Sequence, residues 1–329
     1  PSATIVAGPV SISAWMNMAS VEINSLTKRY GRSRGIEDIT FAIEPGEIFG
    51  YLGPNGAGKT TTIRCIMGLL RPSGGEVRVL GQRVKPGRGT MHARIGYLPG
   101  EFRIWGRPRA RRSLGVLAAL GGDHDAAARR RELAERLDLD LRRPVGDLSK
   151  GNRQKVAVIL AFQHRPDVLI LDEPTAGLDP LMREVVLQLI RETAAGGAAV
   201  LLSSHDLSEV SAICGRAAIL REGRLVELAP ISHIVQQGES RLKVWFADAT
   251  LLPDAASARL PGMRVIEQEP GVLHLAYQGP AGPVLQWVSR FPVDRLTTPQ
   301  TSLQEAFLQY YELGPGSAGG TCHPKGTCS

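Results

Sequence analysis

The chain has 329 residues, room for two domains, and 43% hydrophobic residues, enough for a sizeable core. Its formal charge is +7, and it contains no uncharged apolar stretch of about 18 residues, so no transmembrane helix is expected. Of the four cysteines, Cys65 and Cys214 sit in apolar segments and read as core residues, while Cys322 and Cys328 fit no common zinc spacing and nothing points to secretion.

In chain order, residues 1–20 are small and apolar without a basic leader region. They are expected to be a disordered extension rather than a signal peptide, with Met16 or Met18 as the natural start. From Val21 onward, apolar residues alternate at Val21, Ile23 and Leu26, then at Ile39, Phe41 and Ile43, which predicts antiparallel edge strands. A short apolar strand follows at Gly46–Leu52, then Gly53-Pro54-Asn55-Gly56-Ala57-Gly58-Lys59-Thr60, then a helix expected over Thr61–Leu70. Strand, glycine loop and helix in this order make the eight residues a phosphate-binding loop.

The residue types follow from the anion. Glycines let backbone N–H groups turn inward against phosphate oxygens, and the helix N-terminus adds positive potential. Lys59 supplies a mobile cation for the β- and γ-phosphates of ATP, and Thr60 places a hydroxyl on Mg²⁺. Thr61 completes the nucleotide-binding run.

A further strand is expected at Gly75–Leu80. Residues 107–165 are rich in arginine and alanine with helical spacing, for instance Leu114, Leu117 and Leu120, and form a helical subdomain over about 101–165. The arginine runs at 107–112 and 129–131 suit either an anionic membrane surface or acidic partner, or a solvated helix face. The subdomain ends in Leu148-Ser149-Lys150-Gly151-Asn152-Arg153-Gln154 ahead of the helical run Lys155–Phe162, with Ser149 or Asn152 as its cap.

Val168-Leu169-Ile170-Leu171-Asp172-Glu173 is an unbroken apolar run closed by two carboxylates, the pattern of a strand buried on both faces of a parallel sheet. Ligands of such sheets sit at the carboxyl ends of the strands. Asp172 is therefore expected to hold Mg²⁺, through water, and Glu173 to orient or deprotonate the attacking water. Ala199–His205 is a second buried strand whose terminal histidine can donate to the γ-phosphate. The pattern predicts an α/β core with a mixed sheet over 21–228.

Residues 229–239 read as a linker, and 240–312 as a small C-terminal α+β domain. Within it, strands at Leu242–Phe246, Met263–Gln268, Val272–Tyr277 and Val293–Leu296, with helices at Asp254–Leu260 and Pro283–Arg290, give the βαββαβ order of a ferredoxin-like unit. A last helix is expected at Ser302–Tyr311, and 313–329 as a disordered tail.

The phosphate loop, the Leu-Ser-Lys-Gly-Asn string, the acidic strand, Ala176-Gly177-Leu178-Asp179 and His205, in this order, resemble the nucleotide-binding subunit of an ABC transporter, a P-loop NTPase. The C-terminal domain resembles that of bacterial drug-export members. The resemblance implies a Mg²⁺-dependent ATPase at the cytoplasmic face of a bacterial membrane, driving export through a separate membrane-spanning permease subunit. It implies a head-to-tail dimer, a homodimer of two ATPase subunits, in which Ser149 and Gly151 contact the γ-phosphate held by the other copy. Asp179 would pass signals between the two sites, and Tyr30 would stack on adenine. Residues 101–110 fall where such subunits meet their membrane partner.

Two departures from the family pattern stand out. Lys150 and Asn152 replace Gly and Gln in the signature, and Gly100 stands where a glutamine normally senses Mg²⁺ and water. Either Glu101 or backbone and water fill that role. The alternative function is a soluble ABC-family ATPase acting on nucleic acid or ribosomes. Such proteins usually carry two cassettes or long coiled-coil inserts, so no nucleic-acid partner is expected here. A regulator without turnover is disfavoured, since Lys59, Thr60, Asp172, Glu173 and His205 are all present.

Overall fold

A computed structural model describes residues 19–31, 33–87, 92–102, 108–120, 126–237, 240–247, 260–277 and 280–298. The chain divides into two units, one up to Pro230 and one from Ile231.

In the first unit, β1 (Val21–Tyr30) and β2 (Ser33–Ile43) pair antiparallel, and β4 (Gly74–Val79) and β5 (Gln82–Arg83) extend them into a four-stranded sheet ordered β2-β1-β4-β5. The alternating residues Val21, Ile23, Leu26, Ile39, Phe41 and Ile43 are all buried. The two strands are antiparallel as expected, with β2 at an edge and β1 inside a sheet of their own. Alternation buries one face only, whereas the central strands of the main sheet are buried on both.

That main sheet has six strands in the order β10-β9-β3-β8-β7-β6. Here β3 is Ile48–Leu52, β6 Ile95–Leu98, β7 Val168–Asp172, β8 Ala199–Ser204, β9 Arg216–Arg221 and β10 Arg224–Pro230. All neighbours are parallel except β9 and β10, so the sheet is mixed. Parallel register brings the carboxyl ends together: Leu52 lies opposite Ser204, Asp172 opposite Ser203 and Leu98 opposite Leu171. The two sheets share a core in which the Phe41 and Phe49 rings stack at 4.9 Å.

Helix α1 (Lys59–Ile66) starts inside the phosphate loop and ends four residues before the expected Leu70. Gly68, at φ +66°, turns the chain, and the N–H groups of Gly68 and Leu69 donate to the carbonyls of Cys65 and Arg64, satisfying the helix end. Between β6 and β7 lie α2 (Ala110–Leu120), α3 (Ala126–Arg136) and α4 (Lys150–Phe162). The buried stripe of α2 is Ala110, Leu114 and Ala118, not the run through Leu117, which is exposed. Steps of four with small alanines keep the stripe on one face. Helix α5 (Pro180–Ala195) follows β7, and α6 (Leu207–Ile213) follows β8. Cys65 and Cys214 are buried.

The segment read as a linker carries regular structure over residues 229–237. Ala229 and Pro230 complete β10, and Ile231–Gln237 forms α7, with Ile231 and Ile234 buried at helical spacing. In the second unit, β11 (Ser240–Phe246), β12 (Met263–Glu269), β13 (Val272–Tyr277) and β14 (Val293–Thr297) form an antiparallel sheet ordered β12-β13-β11-β14. Pro270-Gly271, with Gly271 at φ +77°, closes the β12–β13 hairpin. Helix α8 (Ala281–Val288) sets Val284, Trp287 and Val288 against Leu242, Val244, Leu273 and Leu275. This strand order is that of a split βαβ path. The helix expected to start at Asp254, the last helix from Ser302, the extension before residue 19 and the Cys322/Cys328 tail lie outside the described residues. Among the described residues no helix is long and apolar enough to cross a membrane.

Candidate functional site

The site begins where β3 leaves the sheet. Gly56 and Gly58 have φ of +84° and +110°, values that glycine alone takes without strain. A Cβ on Gly58 would lie 2.5 Å from Ile36 Cγ2, and one on Gly53 2.6 Å from the carbonyl oxygen of Leu220. The loop is thus threaded against β2 and β9. Gly58 is also the N-cap of α1, with no side-chain cap and no acidic residue in the first turn, so that helix end is left for an anion. Pro54, Asn55 and Gly56 form an exposed lip, while Ala57 is buried. We expect Gly53→Ala to weaken nucleotide affinity by about tenfold or more, since the added methyl meets backbone that cannot rotate away. A nucleotide titration checks this, and unchanged affinity would show that the loop has room.

Lys59 is buried, and its Nζ folds back to donate to the carbonyls of Gly53 at 2.5 Å and Pro54 at 3.2 Å. Burial pulls its pKa below the usual lysine range, against the opposing pull of Glu173 and Asp172. The cation is held inside the loop by the backbone that an incoming phosphate would replace.

Thr60 Oγ1 donates to Asp172 Oδ2 at 3.0 Å, and Asp172 is buried at the end of β7. A hydroxyl and a carboxylate side by side are hard oxygen donors of the kind Mg²⁺ takes, so the pair fits a nucleotide-borne Mg²⁺. Gly100, just past β6, faces the same carboxylate: a Cβ there would lie 3.2 Å from Asp172 Oδ2. Position 100 is therefore beside the Asp172 carboxylate, and glycine allows a close approach there. Glu101 follows it on the surface.

Glu173 has φ +54°, its N–H donating to the Ser203 carbonyl at 2.9 Å. This turn swings its carboxylate toward the end of β8, where Oε2 lies 2.6 Å from His205 Nδ1. His205 itself is exposed. Tyr30 is 44% exposed at the end of β1, its hydroxyl 3.5 Å from Thr61 Oγ1. An open ring beside the start of α1 can take a flat partner.

The signature string makes a second group. Ser149 caps α4, its Oγ accepting the Asn152 N–H at 3.2 Å, and Asp179 caps α5, its Oδ1 accepting the Met182 N–H at 3.0 Å. Gly151 packs on the turn before Asp179, a Cβ on it falling 3.0 Å from the Gly177 carbonyl oxygen. The hydrogen bonds of Ser149 and Asp179 stay within their own helices. The structure thus gathers Lys59, Thr60, Asp172, Glu173 and His205 at one place and Ser149, Gly151 and Asp179 at another. Gln154 on α4 links the two, its Nε2 donating to the carbonyls of Glu173 at 3.2 Å and Pro174 at 2.8 Å. The motif string includes Gln154, but spacing alone does not single it out.

The ABC transporter family model matches residues 36–176. The bacitracin transport ATP-binding protein of Bacillus licheniformis is 32% identical over 234 residues, 69% of this chain and 75% of that protein. The chain belongs to the ABC transporter ATP-binding proteins. A Nod factor export ATP-binding protein of Paraburkholderia xenovorans is 33% identical over 246 residues, covering 73% of this chain and 81% of that one. Among solved structures, an ATP-binding subunit of an ABC transporter superposes with TM-score 0.62 at 33% identity, over 66% of this chain and 92% of the other. A dimeric ABC transporter cassette at 22% identity superposes with TM-score 0.59 over 64% of this chain and shares the fold. This ABC protein is accordingly an ATP-binding ATPase.

Proposed function

We propose that the chain is the ATP-hydrolysing subunit of an exporter. It works at the cytoplasmic face of a bacterial membrane, as a head-to-tail homodimer docked on a separate membrane-spanning permease. The observation that carries the hydrolytic part is the Glu173–His205 contact at 2.6 Å, at the ends of the adjacent parallel strands β7 and β8, beside Asp172, which accepts from Thr60 in the first turn of α1. Support for export comes from relatives named for Nod factor export. Support for pairing comes from Leu181, 71% exposed two residues past Asp179.

In this reading Lys59 leaves the loop carbonyls for the β- and γ-phosphates, and the N–H groups of the loop hold the phosphate oxygens. Thr60 and Asp172 would hold Mg²⁺, which when bound neutralises charge on those phosphates. Glu173 takes the proton of the attacking water, and His205, held through Nδ1, presents Nε2 toward the γ-phosphate. Tyr30 stacks on adenine. Ser149 and Gly151 close on the nucleotide of the other copy, so binding is linked to dimer closure and hydrolysis to its opening.

Purification of the tagged chain from detergent-solubilised membranes, expressed with its neighbouring reading frames, tests the partner. A multi-span membrane protein should co-purify and raise the ATPase rate. Recovery of the active chain from the soluble fraction alone, without such a protein, would overturn the exporter reading.

A further inference from the structure

Beneath the loops that bear Glu173, Asp179 and His205 lies a carboxylate, Glu209 on α6, only 3% exposed. Its Oε2 accepts from Thr175 Oγ1 at 2.9 Å and from Ser204 Oγ at 3.4 Å. Its Oε1 faces Arg183 Nε at 3.4 Å. Each partner belongs to a different part of the site. Thr175 lies two residues past Glu173, Ser204 immediately precedes His205, and Arg183 is in the first turn of α5, which Asp179 caps. A second ring of contacts closes the cluster: Arg183 Nη1 donates to Asp206 Oδ2 at 3.1 Å, and the Asp206 N–H donates to Ser204 Oγ at 3.0 Å.

Burying a carboxylate is costly unless hydrogen bonds and an opposite charge surround it. Here burial pushes the Glu209 carboxyl up, and Thr175 and Arg183 pull against it while Asp206 adds to the push. A packing role alone would be filled at lower cost by an apolar side chain. What a carboxylate adds is simultaneous acceptance from two hydroxyls, Thr175 after β7 and Ser204 at the end of β8, together with an ion pair to Arg183 on α5.

We propose that Glu209 is a positioning residue for ATP hydrolysis: through Thr175 and Ser204 it sets the alignment of Glu173 with His205, and through Arg183 it ties that pair to the Asp179 helix. The inference rests on the roles given above to Glu173 and His205. It makes Thr175, Ser204 and Arg183 parts of one unit, so a shift at the Asp179 end of α5 is delivered to the His205 loop. A displacement of the base by about 1 Å can cost up to a hundredfold in rate, so modest loosening here is enough to matter.

The test measures steady-state ATPase of the full-length chain, with kcat expressed per nucleotide-binding site, alongside nucleotide affinity. Glu209→Gln keeps size but turns an amide N–H toward Arg183. Thr175→Val keeps shape and removes the donor, and Thr175→Ser restores it. Glu209→Gln and Thr175→Val should each lower kcat about tenfold or more with KM for ATP within about twofold, and Thr175→Ser should recover most of the rate. Arg183→Met combined with Glu209→Gln should cost little beyond the larger single effect, since both break one unit. Unchanged kcat per site in Thr175→Val and in folded Glu209→Gln would overturn the proposal, as would Thr175→Ser performing no better than Thr175→Val. If Glu209→Gln does not fold, the Thr175 pair decides. Glu173→Gln run in parallel separates the two layers: normal hydrolysis there removes the reading of the site, whereas an inactive Glu173→Gln beside a normal Thr175→Val removes only the role of Glu209.

Discussion

Replacing Glu173 by Gln should leave nucleotide binding in place and lower steady-state hydrolysis by about a hundredfold or more, the range a lost general base commands. Gln matches Glu in size and still offers an oxygen to His205 Nδ1, so the 2.6 Å contact has a neutral counterpart. The backbone of the turn, with the Glu173 N–H on the Ser203 carbonyl and Gln154 on the Glu173 and Pro174 carbonyls, does not depend on the side chain. What disappears is the ability to take a proton from water. Affinity is expected to rise rather than fall, because a carboxylate beside the γ-phosphate repels it and an amide does not. A fluorescent-nucleotide titration and a phosphate-release assay measure the two effects separately. If two copies close on ATP, the variant should also accumulate as an ATP-dependent dimer on size-exclusion chromatography. Hydrolysis within about twofold of the parent would remove Glu173 from the role of base.

The parts of this site that could be read in the sequence are those whose chemistry is local. An apolar run ending in Asp172-Glu173 implies a buried parallel strand, and a parallel strand implies that its end faces the ligand. The same logic placed His205 after β8. The glycine loop states its own backbone requirement, which the φ values of Gly56 and Gly58 meet. The features that escaped are those made by residues far apart in the chain. Thr175 and Glu209 meet across 34 positions and Arg183 and Asp206 across 23, and no periodicity marks either pair. Sheet membership escaped as well. Alternation at β1 and β2 shows that one face is buried, but not whether the strands join the sheet of β3 or pair among themselves. The two units divide within the segment read as a linker, but its short helix was not legible: only two isoleucines three positions apart, Ile231 and Ile234, mark its buried face.

Gly100 shows the limit of reading a departure from a pattern by what is missing. In the sequence it is a lost side chain at a metal-sensing position. In the structure it is a close approach: its Cα stands so near Asp172 that a Cβ would fall 3.2 Å from Oδ2, the oxygen that already accepts the Thr60 hydroxyl. The carboxylate is bracketed between that hydroxyl and bare backbone. A side chain placed here would require the Asp172 carboxylate to give by a few tenths of an ångström.

Lys59→Ala carries the other large effect, on binding rather than turnover. Lys59 Nζ is a buried cation satisfied by the carbonyls of Gly53 and Pro54. Its pKa lies below the usual lysine value because burial outweighs the help of Glu173 and Asp172. The unfolded chain therefore binds the Lys59 proton more tightly than the fold does. As pH rises from that lowered pKa toward the usual lysine range, the cost of burying the ammonium fades and stability rises, a pH dependence that Lys59→Ala should lose. Nucleotide reverses the balance by supplying the phosphate charge that the buried ammonium lacks. Hydrogen bonds to charged groups contribute about 1.5–3 kcal/mol each, so losing two such contacts should weaken ATP binding by about a hundredfold or more. Ligand at about 100 times its Kd stabilises a fold by about 2.7 kcal/mol, so thermal melting reads the effect directly. The parent should melt higher with ATP, and Lys59→Ala should show little or no shift at the same concentration while melting close to the parent without it. An undiminished ATP-induced shift in Lys59→Ala would place the phosphates away from this loop, and with them the roles assigned to Thr60, Asp172 and Glu173.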